Sequence, residues 1–471
     1  MHARVASMTL AVIALSGLFS PAVRAFEASE PFATAASMPP RSLLNGVLAE
    51  NTVAPCATPR VGTPLGVVEV VEQALCNNPQ TRQTWASARV QAAQVGIAQS
   101  AYLPSLDGSV GAARVTADAV GSRQRNASMT LSWLLFDFGA RAANLENARQ
   151  LLVAASATLD ATVQTVFLAA LQSYYNVQAA RAALTAAQES ENANHESLAA
   201  AEVRYKVGTG TPADRLQAQT AWSQATLNRI RAAGNLQNAF GSLANVMGLD
   251  ASVPLLLEDL PALPLDAAFE GDIAALIDAA RQDRPDLKAA EAQIKAAQSA
   301  IDLARASGRP TVSLGAGPSW QQIGDLSSNT NSLGVTVNLP LFSGFNTTYR
   351  VRAAEAQSEA TTAQRDRLRL QIALDVWQAY QSLITAAQSL KTTDDLLASA
   401  EQSARVALGR YKAGVGNILD LLNAQSALAA ARQQRIQATL DWRVFRATLA
   451  QAIGTLDGAL LQPLSAGRPG P

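Results

Sequence analysis

Arg204-Tyr205-Lys206-Val207-Gly208-Thr209-Gly210 and Arg410-Tyr411-Lys412-Ala413-Gly414-Val415-Gly416 are two copies of one short segment, and this segment decides the fold. Each copy follows a long helical pattern and precedes a shorter one. Glycine suits a helix end that needs a positive φ, and basic residues there oppose the negative end of the helix dipole. A new helix then begins after Thr211 or Asn417, each an N-cap residue with an aspartate three positions later. The segment therefore predicts the tip of a long αα-hairpin, present twice.

The two tips belong to a duplication that extends over most of the chain. Their offset is 206 residues (410 − 204), and the same offset pairs Pro79 with Pro285. An offset that holds from residue 79 to residue 454 without net insertion indicates two structurally equivalent halves. We therefore predict three successive parts, which are repeat 1 (65–250), a linker (251–271) and repeat 2 (272–456).

Each repeat is predicted to contain a helix, two strands, a long helix and a shorter returning helix. In repeat 1 these are a helix at 65–102, strands within 105–137, a long helix at 140–206 and a helix at 212–247. In repeat 2 they are a helix at 272–308, strands within 311–342, a long helix at 347–412 and a helix at 418–453. Nearly seventy residues at a rise of about 1.5 Å give a helix on the order of 100 Å long. A helix of that length does not pack inside one globular domain.

The predicted strands alternate apolar residues with small polar residues, and polar links are expected at 121–124 and 324–330. Two interpretations fit this pattern: a soluble sheet with one face on a core, or an outer-membrane β-barrel. Strands of about ten residues with aromatic residues at their ends favour the barrel. We then expect Ser128, Thr130 and Thr336 to line the lumen. The lipid-facing candidates are Leu131, Trp133, Val335 and Val337.

The N-terminus predicts export from the cytoplasm. Residues 1–25 combine Arg4, an apolar stretch and the small-residue site Val23-Arg24-Ala25, which is the pattern of a signal peptide. Residues 26–64 are rich in Ala, Pro and Ser and predict a periplasmic arm, and residues 457–471 predict a flexible tail. No later apolar run is expected to serve as a membrane helix of about 18 residues, so any membrane pass must be made of strands.

The mature chain contains two cysteines, Cys56 and Cys76. An exported protein meets an oxidising environment in which these thiols can form a disulfide. Burial of two free thiols is the alternative, and the sequence leaves both open.

Composition and residue pattern argue against an enzyme or a nucleic-acid-binding protein. The formal net charge is zero, so nothing points to nucleic acid. His195 is the only histidine after the signal peptide, and no catalytic arrangement can be assembled around it. Gly208-Thr209-Gly210 follows a helix and lacks the lysine of a phosphate-binding loop. We therefore expect no catalytic residue, no cofactor and no metal. A periplasmic coiled-coil adaptor is another rival, because it would share the long hairpins but would not need the strand pairs.

Closure of the sheet requires more than one chain. Four strands cannot close a barrel, and an open sheet edge is not tolerated in hydrocarbon. Two chains would give eight strands and a barrel filled by its own side chains. Three chains would give twelve strands, wide enough for a lumen.

The duplicated body, the Arg-Tyr-Lys-x-Gly tips and the strand ends Leu135-Phe136 and Leu341-Phe342 resemble the TolC family of outer-membrane factors. The resemblance covers about residues 65–455, and the tips are its most specific part. It implies an α+β membrane protein with two structural repeats, each with a transmembrane β-hairpin and long periplasmic coiled-coil helices. It also implies a homotrimer with a 12-strand β-barrel and an α-helical tunnel, located in the outer membrane of a Gram-negative cell.

The resemblance further implies partners at the tips. Members dock on a periplasmic adaptor (membrane fusion) protein and an inner-membrane pump, and they serve multidrug efflux or type I protein secretion. Among them, the chain most resembles the secretion partners of adenylate cyclase-haemolysin toxins, which implies an inner-membrane ABC transporter and an exported protein substrate. The implied adaptor-docking residues are Arg204, Gly208, Gly210, Arg410, Gly414 and Gly416.

Two positions of the second tip depart from the family pattern. An arginine that latches the closed pore in the family falls on Gly416, and the second of two pore-facing acids falls on Asn423. Asp420 and Tyr411 match, so the resemblance implies that they form the pore constriction. Asp214 occupies the place of Asp420 in the first tip, so helix capping alone is the alternative role of both aspartates.

Overall fold

The computed structural model describes residues 31–34, 64–117, 120–259 and 272–456. The predicted signal peptide and tail, Cys56, most of the predicted N-terminal arm and residues 260–271 of the linker lie outside these ranges. The described residues form eight α-helices and four β-strands. In chain order these are α1 (Val67–Asn77), α2 (Pro79–Ser100), β1 (Ser105–Ala117), β2 (Val120–Phe136), α3 (Ala140–Lys206), α4 (Pro212–Val246), α5 (Ile273–Asp283), α6 (Pro285–Ala306), β3 (Thr311–Ile323), β4 (Leu326–Asn338), α7 (Asn346–Lys412) and α8 (Ile418–Ile453).

The duplication is visible in the element boundaries. Each described element of the first half begins 206 residues before its counterpart, from α1 and α5 (273 − 67) to α4 and α8 (418 − 212). The chain groups into two compact units. Of the described residues, the sheet unit contains 89–117, 120–152 and 296–355, and the helical unit contains 64–88, 153–259, 272–295 and 356–456.

Each predicted first helix is in fact two helices. The breaks fall at Asn78 (φ −59°, ψ 126°) and Arg284 (φ −61°, ψ 123°), which leave the helical region of backbone space. Both residues precede a proline, and the proline ring disfavours helical geometry in the residue before it. The prolines then occupy the first position of α2 and α6, where a missing N–H costs nothing. The predictions of single helices at 65–102 and 272–308 are therefore wrong at these breaks.

The four strands form one antiparallel sheet in the order β1-β2-β3-β4. The expected link at 324–330 is only a two-residue turn, Gly324-Asp325, in which Gly324 has φ +62°. The expected link at 121–124 lies inside β2. The prediction extended the second strand to residue 342, but β4 ends at Asn338, two residues before Pro340. The strand stops there because proline has no N–H to donate to the strand ladder.

Gly317 and Pro318 interrupt the pairing of β2 with β3. The ladder runs through Ser128 opposite Ser319, then resumes with Leu131 opposite Ala316. A Cβ atom on Gly317 would lie 1.9 Å from the carbonyl oxygen of Met129. Only glycine permits this close approach of two backbones.

Two apolar clusters form the core of the helical unit. One joins α1, α3 and α4 around Val70, Tyr174 and Leu243. The other joins the equivalent elements of the second half around Ile372, Leu383 and Leu449. One stretch of α3 is long and apolar enough to cross a membrane, which corrects the expectation that no such run follows the signal peptide. Most of that stretch is buried in the structure, and a packed core helix has the same composition.

Candidate docking tips, pore residues and membrane face

Each tip closes the C-terminal end of a long helix with a left-handed glycine. Gly208 has φ +77° and Gly414 has φ +81°, which confirms the predicted positive φ at these two positions. The carbonyl oxygen of Arg204 accepts hydrogen bonds from the backbone N–H groups of Thr209 (2.9 Å) and Gly210 (3.0 Å). The carbonyl oxygen of Arg410 accepts equivalent bonds from the second tip. These bonds satisfy carbonyl groups that the helix end leaves without a partner.

The second glycine of each tip serves a different purpose. Gly210 and Gly416 do not have a positive φ. A Cβ atom on Gly210 would lie 3.1 Å from the backbone nitrogen of Tyr205, and one on Gly416 would lie 3.1 Å from that of Tyr411. Glycine at these positions therefore allows the turn to approach the last turn of the helix closely.

The helices that leave the tips begin with the predicted caps. Thr211 Oγ1 accepts from the backbone N–H of Asp214 (3.1 Å), and the Asp214 carboxylate accepts from the N–H of Thr211 (3.0 Å). Asn417 Oδ1 accepts from the N–H of Asp420 (2.7 Å), but no reciprocal bond from the Asp420 carboxylate is among the described contacts. The Asp214 carboxylate is thus part of its cap, whereas the Asp420 carboxylate is exposed and outside the cap.

Arg204 of the first tip holds Tyr411 of the second tip. Its guanidinium donates from Nη1 to the Tyr411 carbonyl oxygen (3.1 Å) and lies 4.8 Å from the centroid of the Tyr411 ring. Tyr411 packs with Leu198, Ile418 and Leu421. Burial raises the pKa of the Tyr411 hydroxyl; the charge of Arg204 lowers it and that of Asp214 raises it.

The two residues predicted at the pore constriction have different environments. Tyr411 is only 3% exposed, because its own chain covers it. Its role at the pore constriction stays a prediction. Asp420 is exposed and available to face a pore. Sequence reasoning missed Arg204 as the partner of Tyr411, since an arginine in the last helical turn is equally explained by the helix dipole.

The predicted lipid-facing residues share one face of the sheet. Leu131 lies opposite Leu106 and Ala316, and Ala316 lies opposite Leu333. In a neighbouring row on the same face, Trp133, Leu314 and Val335 are directly paired. The next row contains Val337 and Val312. Side chains alternate between the faces of a strand. The sheet therefore has one face of large apolar side chains, formed by these rows.

Small polar residues occupy the other face. Ser109, Ser128, Ser319 and Thr330 are paired in one row across all four strands. The hydroxyls of Ser109 and Ser128 are 2.8 Å apart and hydrogen-bonded. Thr130 and Thr336 are an even number of residues from Ser128 and Thr330 on their strands, so they lie on this same face, as the sequence predicted. The alternation is that of a barrel with an apolar outside and a polar lumen.

The remaining candidate residues are His195 and the two cysteines. The ring of His195 packs against Trp222 with centroids 5.4 Å apart. Among the described residues, no group of three or more His, Cys, Asp or Glu side chains could hold a metal ion. Cys76 is disulfide-bonded. Cys56, its possible partner from the sequence, lies outside the described residues.

Comparisons with known proteins match both repeats. The family described as outer membrane efflux protein matches residues 70–249 and 276–455. Protein CyaE of Bordetella pertussis is 33% identical over 401 residues, covering 83% of this chain and 84% of that protein. Outer membrane protein TolC of Escherichia coli is 23% identical over 415 residues, covering 83% and 82%. The CmeC outer membrane channel of Campylobacter jejuni has a TM-score of 0.73 at 18% identity, covering 83% and 86%.

These matches confirm the resemblance stated from the tips, and they decide against a soluble sheet and against a periplasmic adaptor. The fold class is confirmed as α+β with two structural repeats. The chain belongs to the outer membrane efflux protein family, and it is an outer-membrane channel protein with a periplasmic helical region.

Proposed function

We propose that this protein is the passive exit duct of a type I secretion system that exports a protein toxin of the adenylate cyclase-haemolysin type. The likeness to CyaE over most of both chains is the observation that carries this proposal. The proposed activity is conduction through a lumen, driven by an inner-membrane ABC transporter.

The sheet supports a homotrimeric duct. β1 and β4 are the edges of a four-stranded sheet, and each presents unpaired backbone groups. Hydrocarbon offers no hydrogen-bond partners for such edges, so they must pair with another chain. Three copies of four strands would close a barrel of twelve. The row of serine and threonine hydroxyls would then face the lumen, and the apolar rows would face lipid.

The tips support docking on a periplasmic adaptor protein. Val207 and Val415, beside the left-handed glycines, are 66% and 70% exposed. An apolar side chain so exposed at the end of a long hairpin is suited to burial against a partner. Arg410 is also exposed, whereas Arg204 is engaged with Tyr411.

Asp420 supports a selective constriction near the tips. Threefold symmetry would bring three exposed carboxylates together. Closely spaced like charges attract cations and disfavour anions. With Asn423 in place of a second acid, one such ring is expected rather than two.

Export of small molecules by a multidrug efflux pump is the second candidate function. The observation that favours it is the match of both repeats to a family described as outer membrane efflux protein. Both candidates use the same duct, and they differ in the inner-membrane transporter that it serves.

The deciding experiment supplies this protein to a cell that lacks its own outer-membrane factor. One strain also carries an adaptor, an ABC transporter and an adenylate cyclase-haemolysin toxin, and the toxin in the medium is measured. A second strain carries a drug pump with its adaptor, and intracellular drug accumulation is measured. The proposal predicts toxin in the medium. Restored drug efflux without toxin export would favour the second candidate.

A matched pair of variants tests the role of the tips. Gly208→Val introduces strain of about 1–2 kcal/mol at a left-handed position, and the Cβ atom meets no neighbour there. Gly324→Val introduces similar strain in the β3–β4 turn, also without a steric neighbour. We expect toxin export to fall only with Gly208→Val, while both variants assemble. Equal export by the two variants would contradict docking at the tips.

A further inference from the structure

Every cationic residue of the four strands lies in one small patch. The described strands contain three arginines and no lysine, namely Arg114 on β1 and Arg123 and Arg125 on β2. All three side chains are exposed. Arg114 lies directly opposite Arg123 in the ladder, and Arg125 follows two residues later on the same face. We call these three residues the arginine patch.

The arginine patch lies on the apolar face of the sheet, at the β1–β2 turn end. Arg123, Arg125, Leu131 and Trp133 have the same parity on β2, so they point to the same side. Leu131 lies six positions after Arg125, which is about 20 Å along a strand. The patch therefore lies beyond the apolar row of Leu131, on the side away from the helices.

Among the described residues of the four strands, none on this face carries a charge opposite to that of the patch. The only carboxylate in the four described strands is Asp107, and its partner Thr130 places it on the polar face. No ion pair or side-chain hydrogen bond of the three arginines is among the described contacts. Like charges directly opposite each other in a sheet destabilise it. An arrangement of this kind is stable when an external anion binds between the guanidinium groups.

The position of the arginine patch in the membrane indicates which kind of anion it meets. Helices α2, α3, α6 and α7 adjoin the opposite ends of the strands and belong to the periplasmic side. The turn end therefore meets the outer leaflet, at the depth where lipid headgroups border the hydrocarbon. Guanidinium groups bind phosphate with two parallel hydrogen bonds, and basic clusters at a membrane surface recognise anionic headgroups.

We infer that Arg114, Arg123 and Arg125 form a binding site for the phosphate groups of a phosphorylated glycolipid in the outer leaflet. The inference rests on the outer-membrane location and not on the cargo of the duct. The duplication does not repeat the site, because the equivalent positions of the second hairpin are Trp320, Asn329 and Asn331. One site per chain is therefore expected.

The first test uses the unaltered protein in detergent. Bis-phosphorylated lipid A, the same lipid A after enzymatic dephosphorylation, and inorganic phosphate are each titrated against it, and bound lipid is counted by native mass spectrometry. We expect the bis-phosphorylated form to bind at least about tenfold more tightly than the dephosphorylated form, since charge-assisted hydrogen bonds to phosphate are lost. Equal affinity for the two lipids would overturn the inference. So would binding of inorganic phosphate as tight as that of the lipid.

The second test locates the site with variants of equal charge. The triple variant Arg114→Gln, Arg123→Gln, Arg125→Gln removes the arginine patch. Its control, Arg350→Gln, Arg367→Gln, Arg369→Gln, removes the same charge from exposed positions of α7. We expect tight lipid binding to be lost only in the patch variant. Unchanged binding in the patch variant, or equal loss in both, would overturn the inference. If the triple variant does not assemble, Arg125→Gln alone is compared with Arg367→Gln, with the same two outcomes.

Discussion

Arg204 and Tyr411 join the two tips of one chain through a hydrogen bond of 3.1 Å and a guanidinium–ring contact of 4.8 Å. These residues occupy non-equivalent places in the duplication, since the counterpart of Arg204 is Arg410 and that of Tyr411 is Tyr205. Tyr205 is 40% exposed although the Arg215 guanidinium lies 5.2 Å from its ring centroid, and Arg410 is exposed as well. In a trimer of such hairpins, Arg410 of one chain would repeat the contact on Tyr205 of the next.

This relationship predicts how a closed state of the tips would be held, given that Gly416 stands where the family resemblance implies a latching arginine. Arg204→Ala should remove the contact within chains, and Arg410→Ala should remove its counterpart between chains. Each contact contributes about 1–3 kcal/mol. Both variants should therefore raise single-channel conductance in planar bilayers.

Arg405→Ala is the control for the two tip variants, because Arg405 bonds only to Gln402 and Glu401 of its own helix among the described contacts. Its conductance should be that of the unaltered protein. A rise with Arg204→Ala and none with Arg410→Ala would contradict the proposed contact between chains.

Asp420→Asn should reduce the cation preference of the channel. The substitution removes a charge from the proposed ring of three carboxylates and leaves the bond between Asn417 and the backbone of residue 420 intact. Asp214→Asn is the matched variant, since asparagine can still accept the cap bond. Ion selectivity in planar bilayers checks this. Equal effects of the two substitutions on ion selectivity would contradict a pore role that belongs to Asp420 alone.

The tips show how much of the site the sequence could predict. The capping residues and the positive φ of Gly208 and Gly414 follow from local rules of helix ends, and these predictions were correct. The burial of Tyr411 under Arg204 could not be foreseen, because these two residues are 207 positions apart in the chain (411 − 204) and belong to different hairpins. Local patterns do not report contacts of that separation.

Two arginine substitutions on opposite faces of β2 test which face contacts lipid. Leu131→Arg places a charge on the face proposed to contact lipid, at a cost of about 2–4 kcal/mol near the membrane midplane. Thr130→Arg places the same charge on the face proposed to line the lumen. Assembly on semi-native gels should fail for Leu131→Arg only, and Thr130→Arg should change conductance. Failure of Thr130→Arg with normal assembly of Leu131→Arg would reverse the assignment of the faces.

Gly317 should be the strand glycine that tolerates substitution least. In Gly317→Ala the new Cβ atom would collide with the Met129 carbonyl oxygen, and forced repacking of this kind costs about 1–3 kcal/mol. Gly315→Ala is the control, since a Cβ atom added there would meet no other atom within 4 Å. The dissociation temperature of the purified assembly should fall for Gly317→Ala alone. Equal dissociation temperatures for the two variants would show that β2 and β3 can move apart at Gly317 without cost.

The sequence predicted which face of the sheet the strand residues lie on, but not where the strands begin and end. Alternation along β2 and β4 is a local property, and it placed Leu131, Trp133, Val335 and Val337 on one face as observed. The two-residue turn at Gly324-Asp325 was not predicted, because the polar residues that follow it resemble a loop. They are paired in β4 because neighbouring strands supply hydrogen bonds that a single-strand pattern does not reveal.

The mass of the assembly extracted from outer membranes tests the central claim most directly. Edges β1 and β4 of the four-stranded sheet cannot stay unpaired in hydrocarbon, so the duct requires several chains. Light scattering of the detergent-purified particle, corrected for bound detergent, should give the mass of three chains. A stable, fully folded particle with the mass of one chain would contradict the account.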